Sequence, residues 1–176
     1  MRKQLLAAAS LALAAPATAA EPTGLPRLEG RIVLAGCRQG QCAWIRITGL
    51  ARVGTVPQGE LRRIALRRGF SRHPDGSIPA NARRARIDWD AGTRTDFVFC
   101  STARPAYAFQ DEGGALVTHY LDLFDLAGYQ ASSGTLYMRF CHDQAFSARA
   151  LRALGYRPGT RSEQVENGTV QALTRF

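Results

Sequence analysis

Lysine is all but missing from this chain. The single copy, Lys3, stands at the extreme amino terminus, so every other basic side chain is an arginine. That excludes a Schiff-base lysine, a phosphate-loop lysine or a lysine general base from the body of the protein. Histidine is scarce too, with His73, His119 and His142 alone, and no C-x-x-C pair accompanies them, which leaves no ligand set of zinc-site spacing. No G-x-S-x-G elbow is present. Beyond the first 20 residues no apolar run approaches the roughly 20 residues that cross a bilayer. There is no internal repeat and no shift in composition that would mark a domain boundary.

What the amino terminus does have is an ordered trio of signals. Arg2 and Lys3 are followed by the apolar run Leu5 to Ala15, then by Pro16 and the small residues Ala17 to Ala20. This is the layout of a secretory leader of bacterial type, with cleavage after Ala19 or Ala20. The run is too short for a membrane anchor, and it has no polar face that would suit an ordinary surface helix. The expected organisation is therefore a signal peptide over residues 1–20 and one β-rich domain over residues 21–176, exported to the periplasm or secreted. No transmembrane segment is expected after cleavage.

Export places Cys37, Cys42, Cys100 and Cys141 in an oxidising compartment, where an even count favours disulfides. Cys37 and Cys42 flank Arg38-Gln39-Gly40-Gln41 between two strand-like segments and can face each other across a hairpin. Cys100 is left to pair with Cys141. Neither a cofactor nor a metal is expected.

The chain is centred on Thr95 to Phe109. Phe97 and Phe99 alternate with polar or smaller neighbours up to Cys100, Pro105 interrupts, and Tyr107 and Phe109 resume the alternation, which predicts two core strands around a turn. Upstream, Arg31–Ala35 and Ala43–Thr48 predict a hairpin, and Gly49–Gly59 a connection. Leu61–Arg68 fits both periods and is assigned to a strand. His73-Pro74-Asp75-Gly76 predicts a turn, and Arg84–Trp89 another strand. Downstream, Ala115–Phe124 predicts a strand, Gly128–Gly134 a break, and Thr135–Cys141 a further strand-like segment. Ser147 caps a short helix, Ala148–Leu154, ended by Gly155, and Gly168–Leu173 predicts an edge strand. The fold expected is mainly β, an antiparallel sandwich or small barrel with one short C-terminal helix, stapled by disulfides.

Charge is the sharpest functional signal. Without Arg2 and Lys3, 21 arginines face 14 acids. Eight of those arginines lie between Leu61 and Ile87 with Asp75 as their single acid, while the remaining 13 are balanced by 13 acids. The whole positive excess is local. Arginine binds phosphate and carboxylate in a forked geometry, so Arg62, Arg63, Arg67, Arg68, Arg83 and Arg84 are the candidate ligand-binding residues. In an exported protein the available polyanions are envelope polymers, lipid headgroups or an acidic protein rather than genomic nucleic acid. The bland reading is a solvated face whose acids arrive from other strands.

Three catalytic constellations compete with this reading. Ser101, with a histidine and an aspartate, could form a nucleophilic triad. His119, Asp122 and Asp125 could approach a metal, and Asp88 and Asp90 around Trp89 have the look of a carboxylate pair with a sugar platform. Each lacks its supporting motif. The function expected is binding without catalysis, and the alternative is a small hydrolase using a histidine and a carboxylate.

Overall fold

The computed structural model describes residues 24–175, so the expected leader lies outside the described residues. Strands β1 (Ile32–Arg38) and β2 (Gln41–Val56) form the predicted hairpin. Its turn has two residues, Gln39 and Gly40, both at positive φ (51° and 71°). The primed turns require that sign, because their twist matches that of the strands. Cys37 lies directly opposite Cys42, with Cα atoms 4.0 Å apart, and the two are joined.

Strand β3 (Gly59–Arg72) runs back along almost all of β2. The expected connection at Gly49–Gly59 is thus mostly strand. The register shifts between Ile47 and Gly49 and again between Arg52 and Gly54. Each bulge inserts a residue and reverses the inside–outside parity, which erased the alternation that identifies a strand in sequence.

The rest of the sheet is built outward from β3. Strands β4 (Asp88–Trp89) and β5 (Arg94–Cys100) share its second edge, and β6 (Ala106–Gln110), β7 (Leu116–Tyr120) and β8 (Glu163–Val165) follow in antiparallel order. The result is one eight-stranded antiparallel sheet, curled into a half-barrel. Arg84–Trp89 is strand only at its end. Asn81 accepts from Arg83 N and caps a 3-10 turn at Ala82–Arg84 instead. Gly168–Leu173 likewise enters a 3-10 turn, Val170–Thr174, capped by Thr169, and the edge strand is β8.

The half-barrel is filled by helix α1 (Ala131–His142), where the sequence suggested a strand. Ser133, Leu136, Tyr137, Phe140 and Cys141 recur at helical spacing and form the stripe that meets the sheet. Leu136, Tyr137, Phe140 and Cys141 share one core with Val33, Ile45, Ile47, Ile64, Leu66, Val98 and Tyr107. Each large apolar side chain buried here contributes about 1.5–3 kcal/mol. The Cys100–Cys141 disulfide, with Cα atoms 5.5 Å apart, ties the end of β5 to the end of this helix. Helix α2 (Ala148–Ala153) is the predicted one, with Ser147 Oγ accepting from Ala150 N.

The outer face of the sheet is covered in two places. At one end Leu173 inserts among Leu61, Phe99, Ala106, Ala108 and Tyr120. At the other end the segment between β3 and β5 folds back over the sheet. Gly69 is required there, because a Cβ would stand only 2.6–2.9 Å from atoms of Trp89 and Ile87.

Candidate functional site

The alternation of β3 divides the arginine stretch between the two faces of the sheet. Arg62 points inward and is completely buried. Its Nε donates to Glu60 Oε1, and Nη1 donates to the carbonyls of Phe140 (2.7 Å) and Cys141 (3.1 Å). These carbonyls are at the C-terminus of α1, where helical C=O groups lack intrahelical donors and a cation is favoured. Arg62 is thus a structural cap that no surface ligand can touch, which removes it from the expected binding set.

Arg68 also points inward, its Nη2 lying 3.4 Å from both Asp96 oxygens and its guanidinium 5.6 Å from the Phe109 ring centre. Arg63 and Arg67 point outward. Arg63 is exposed, whereas Arg67 is half-buried and donates Nε and Nη2 to the Asp90 carbonyl at 3.1 and 2.6 Å. Beside Arg67 on β2 lies Arg46, stacked 4.5 Å above the Trp89 ring. Arg83, Arg84 and Arg86 are exposed on the segment laid over this face, whereas Arg72, exposed at the end of β3, has the inward parity of Arg68. Among the described residues no carboxylate lies within ion-pair distance of Arg63, Arg67, Arg72, Arg83, Arg84 or Arg86. Other strands therefore do not supply the acids that a neutralised face would need.

The catalytic constellations resolve into structural roles. Ser101 Oγ accepts from Ala103 N and Arg104 N and closes the turn after β5. Asp122 accepts from Phe124 N and Gly159 N, and no cluster of three metal-ligating side chains occurs among the described residues. Trp89, with Arg46 on its ring and Gly69 against it, is not an open platform.

Each histidine is held by neutral groups. His73 Nε2 lies 2.8 Å from Ser71 Oγ, and His142 Nε2 lies 2.6 Å from Tyr156 Oη. Burial, assisted by the charge of Arg62, pushes His142 down to about 4. His119 is 2.8 Å from Ser133 Oγ through Nδ1 and 3.0 Å from Gln164 Oε1 through Nε2. Gln164 donates its amide to Glu166, so its oxygen faces the ring and Nδ1 accepts from the serine. Burial lowers the pKa of His119, and among the described residues no carboxylate bonds its ring to stabilise an imidazolium.

The inner face also assembles a group that the sequence reading did not connect. Asp96 is buried and accepts from Tyr107 Oη, with Arg68 on its other side. Burial raises its carboxyl above the usual range, against the opposing pull of Arg68 and the Tyr107 hydrogen bond. The signal was available: Asp96 shares its parity with Val98 and Cys100, and an acid assigned to a core face demands partners. Compared with protein families, with curated proteins and with solved structures, the chain matches none.

Proposed function

We propose that this is an exported protein that binds, without catalysis, an anionic component of the cell envelope through the outer arginine face. The surface consists of Arg63, Arg83 and Arg84, extended by Arg86, with Arg67 and Arg46 fixed at its centre. The observation that carries this reading is the absence of acidic partners for those arginines among the described residues. Several like charges held on one side of a rigid sheet raise the local concentration of a polyanion, and the attraction is screened by salt. Two disulfides fit an oxidising compartment. No helix among the described residues is long and apolar enough to cross a membrane.

The test is a titration of phosphatidylglycerol vesicles, an anionic polysaccharide and an acidic protein at low and moderate salt. Wild type is compared with the variant R63Q/R83Q/R84Q/R86Q, which removes exposed charges and leaves the folded core untouched. Wild type should bind the vesicles or the polysaccharide, with an affinity that falls steeply with salt, and the variant should lose both the affinity and the slope. Binding confined to the acidic protein would redirect the reading to a protein partner. Equal behaviour of the two proteins would refute it.

A further inference from the structure

We propose that the cleft between α1 and the inner face of the sheet is a binding site for a small amphipathic carboxylate, its charged end on Arg68 and its apolar part over Ala35, Ala43 and Ile45. This site is separate from the outer arginine face and does not depend on it.

The cleft exists because both of its walls are built from small residues. On the sheet side Ala35, at the β1 bulge, and Ala43 on β2 present methyl groups where their neighbours Val33 and Ile45 are larger. On the helix side α1 opens with Ala131, Ser132, Ser133 and Gly134, and reaches its first large apolar residue only at Leu136. The carboxy-terminal half of the helix therefore packs on the sheet while its amino-terminal half leaves a gap of about 220 Å³. This is below the usual size for drug-like ligands, which limits the occupant to a small molecule. An adjoining cleft shares Ala35, Ala43, Phe70 and Ser132 and continues towards Arg38.

Two further features indicate what fills it. Phe70 on the sheet side and Tyr129 on the helix side line the cleft, yet they are 39% and 57% exposed. Aromatic rings left open on both sides of a cavity gain area when an apolar ligand lies between them. The charge complement is Arg68. Its side chain is 24% exposed, and Asp96 engages only Nη2, at a separation beyond that of a good hydrogen bond. The other donors of the guanidinium have no hydrogen-bond partner among the described residues and can meet a carboxylate in the forked geometry that arginine favours.

The experiment uses octanoate and 1-octanol as probes, followed by calorimetry and by amide shifts of the labelled disulfide-bonded protein. Octanoate should bind and shift residues 35, 43, 68 and 129, and octanol should bind about tenfold more weakly or worse, since a charge-assisted bond is lost. Arg68→Gln should reduce octanoate binding to the octanol level. Because that change also leaves Asp96 with one partner fewer, Ala43→Leu provides an independent check. It fills the floor of the cleft without removing any polar bond and should abolish binding of both probes. R63Q/R83Q/R84Q/R86Q should bind octanoate as wild type does. Equal affinity for octanoate and octanol, no binding of octanoate at millimolar concentration, or full binding by folded Ala43→Leu would each overturn the proposal.

Discussion

Replacing Arg62 with methionine tests the division of the arginine stretch most directly, because its neighbour Arg63 has the same chemistry and the opposite surroundings. Arg62 is 0% exposed, and the substitution keeps much of its volume while deleting the charge. Two carbonyls at the end of α1 lose their donor, at roughly 1 kcal/mol each or somewhat more for bonds to a charged group. Glu60 loses its buried partner but keeps Arg52 at 2.6 Å, so the full cost of about 3–5 kcal/mol for breaking a buried pair does not apply. One guanidinium nitrogen, Nη2, has no acceptor among the described residues, which lowers the net worth of the native arrangement further. The sum is a loss of about 3 kcal/mol, or a fall in Tm of roughly 6–12 °C for a domain of this size. Arg63→Gln should stay within about 0.5 kcal/mol of wild type. Urea unfolding of the oxidised proteins reads both. The double variant E60M/R62M should recover part of the loss, since two apolar side chains then replace a pair that is costly to desolvate. A loss below 1 kcal/mol for Arg62→Met, or equal effects at positions 62 and 63, would refute the capping argument.

The pH dependence of stability should carry the mark of His142, whose folded pKa is depressed from 6.5 to about 4. The unfolded chain takes up a proton that the folded protein refuses. Stability from this group is therefore complete above about pH 6.5 and lost as pH falls towards 4. Allowing for solvent screening, the loss is about 2 kcal/mol, and a urea midpoint that drops no less between pH 7 and 4.5 in His142→Gln than in wild type would exclude the assignment. Asp96, with its raised pKa, acts in the opposite direction, which is why the comparison with the variant is needed. In the chain-entropy model the Cys100–Cys141 bridge, spanning a separation of 41 residues, contributes about 4 kcal/mol and the hairpin bridge about 2. C100S/C141S should consequently unfold at lower urea than C37S/C42S, and the reverse order would show that helix α1 is held without its staple. N-terminal sequencing of exported material should begin at Ala20 or Glu21, and an intact Met1 on the mature protein would disprove the leader.

Features set by short-range chemistry were legible in the sequence. The hairpin disulfide followed from two strand-like flanks around a glycine turn, and the pairing of Cys100 with Cys141 followed by elimination. The turn at His73–Gly76 closes as proline, aspartate and glycine dictate, with Gly76 at φ 73° and Ser77 N donating to Asp75. Ser147 starts its helix where a capping hydroxyl should. Helix α1 was hidden because local signals and packing disagree. Gln130 caps nothing with its side chain, Asp143 rather than glycine takes the left-handed position at the end (φ 52°), and tyrosine, threonine and phenylalanine are strand-forming residues. Its helical stripe is stable only because a curled sheet receives it, and curling depends on bulges that shift the parity of β2.

The arginines show the same limit. Sequence counted them and located the charge excess, but a β-strand sends successive side chains to opposite faces. Only the position of α1 on one of those faces decided that Arg62 is entombed beneath its carbonyls, that Arg68 lines a cleft, and that Arg63 meets solvent. Sequence fixes which charges a chain carries, because composition is local. Which of them remain available to a partner depends on what packs over each face, and that is settled by contacts between residues nearly 80 positions apart, such as Arg62 and Phe140.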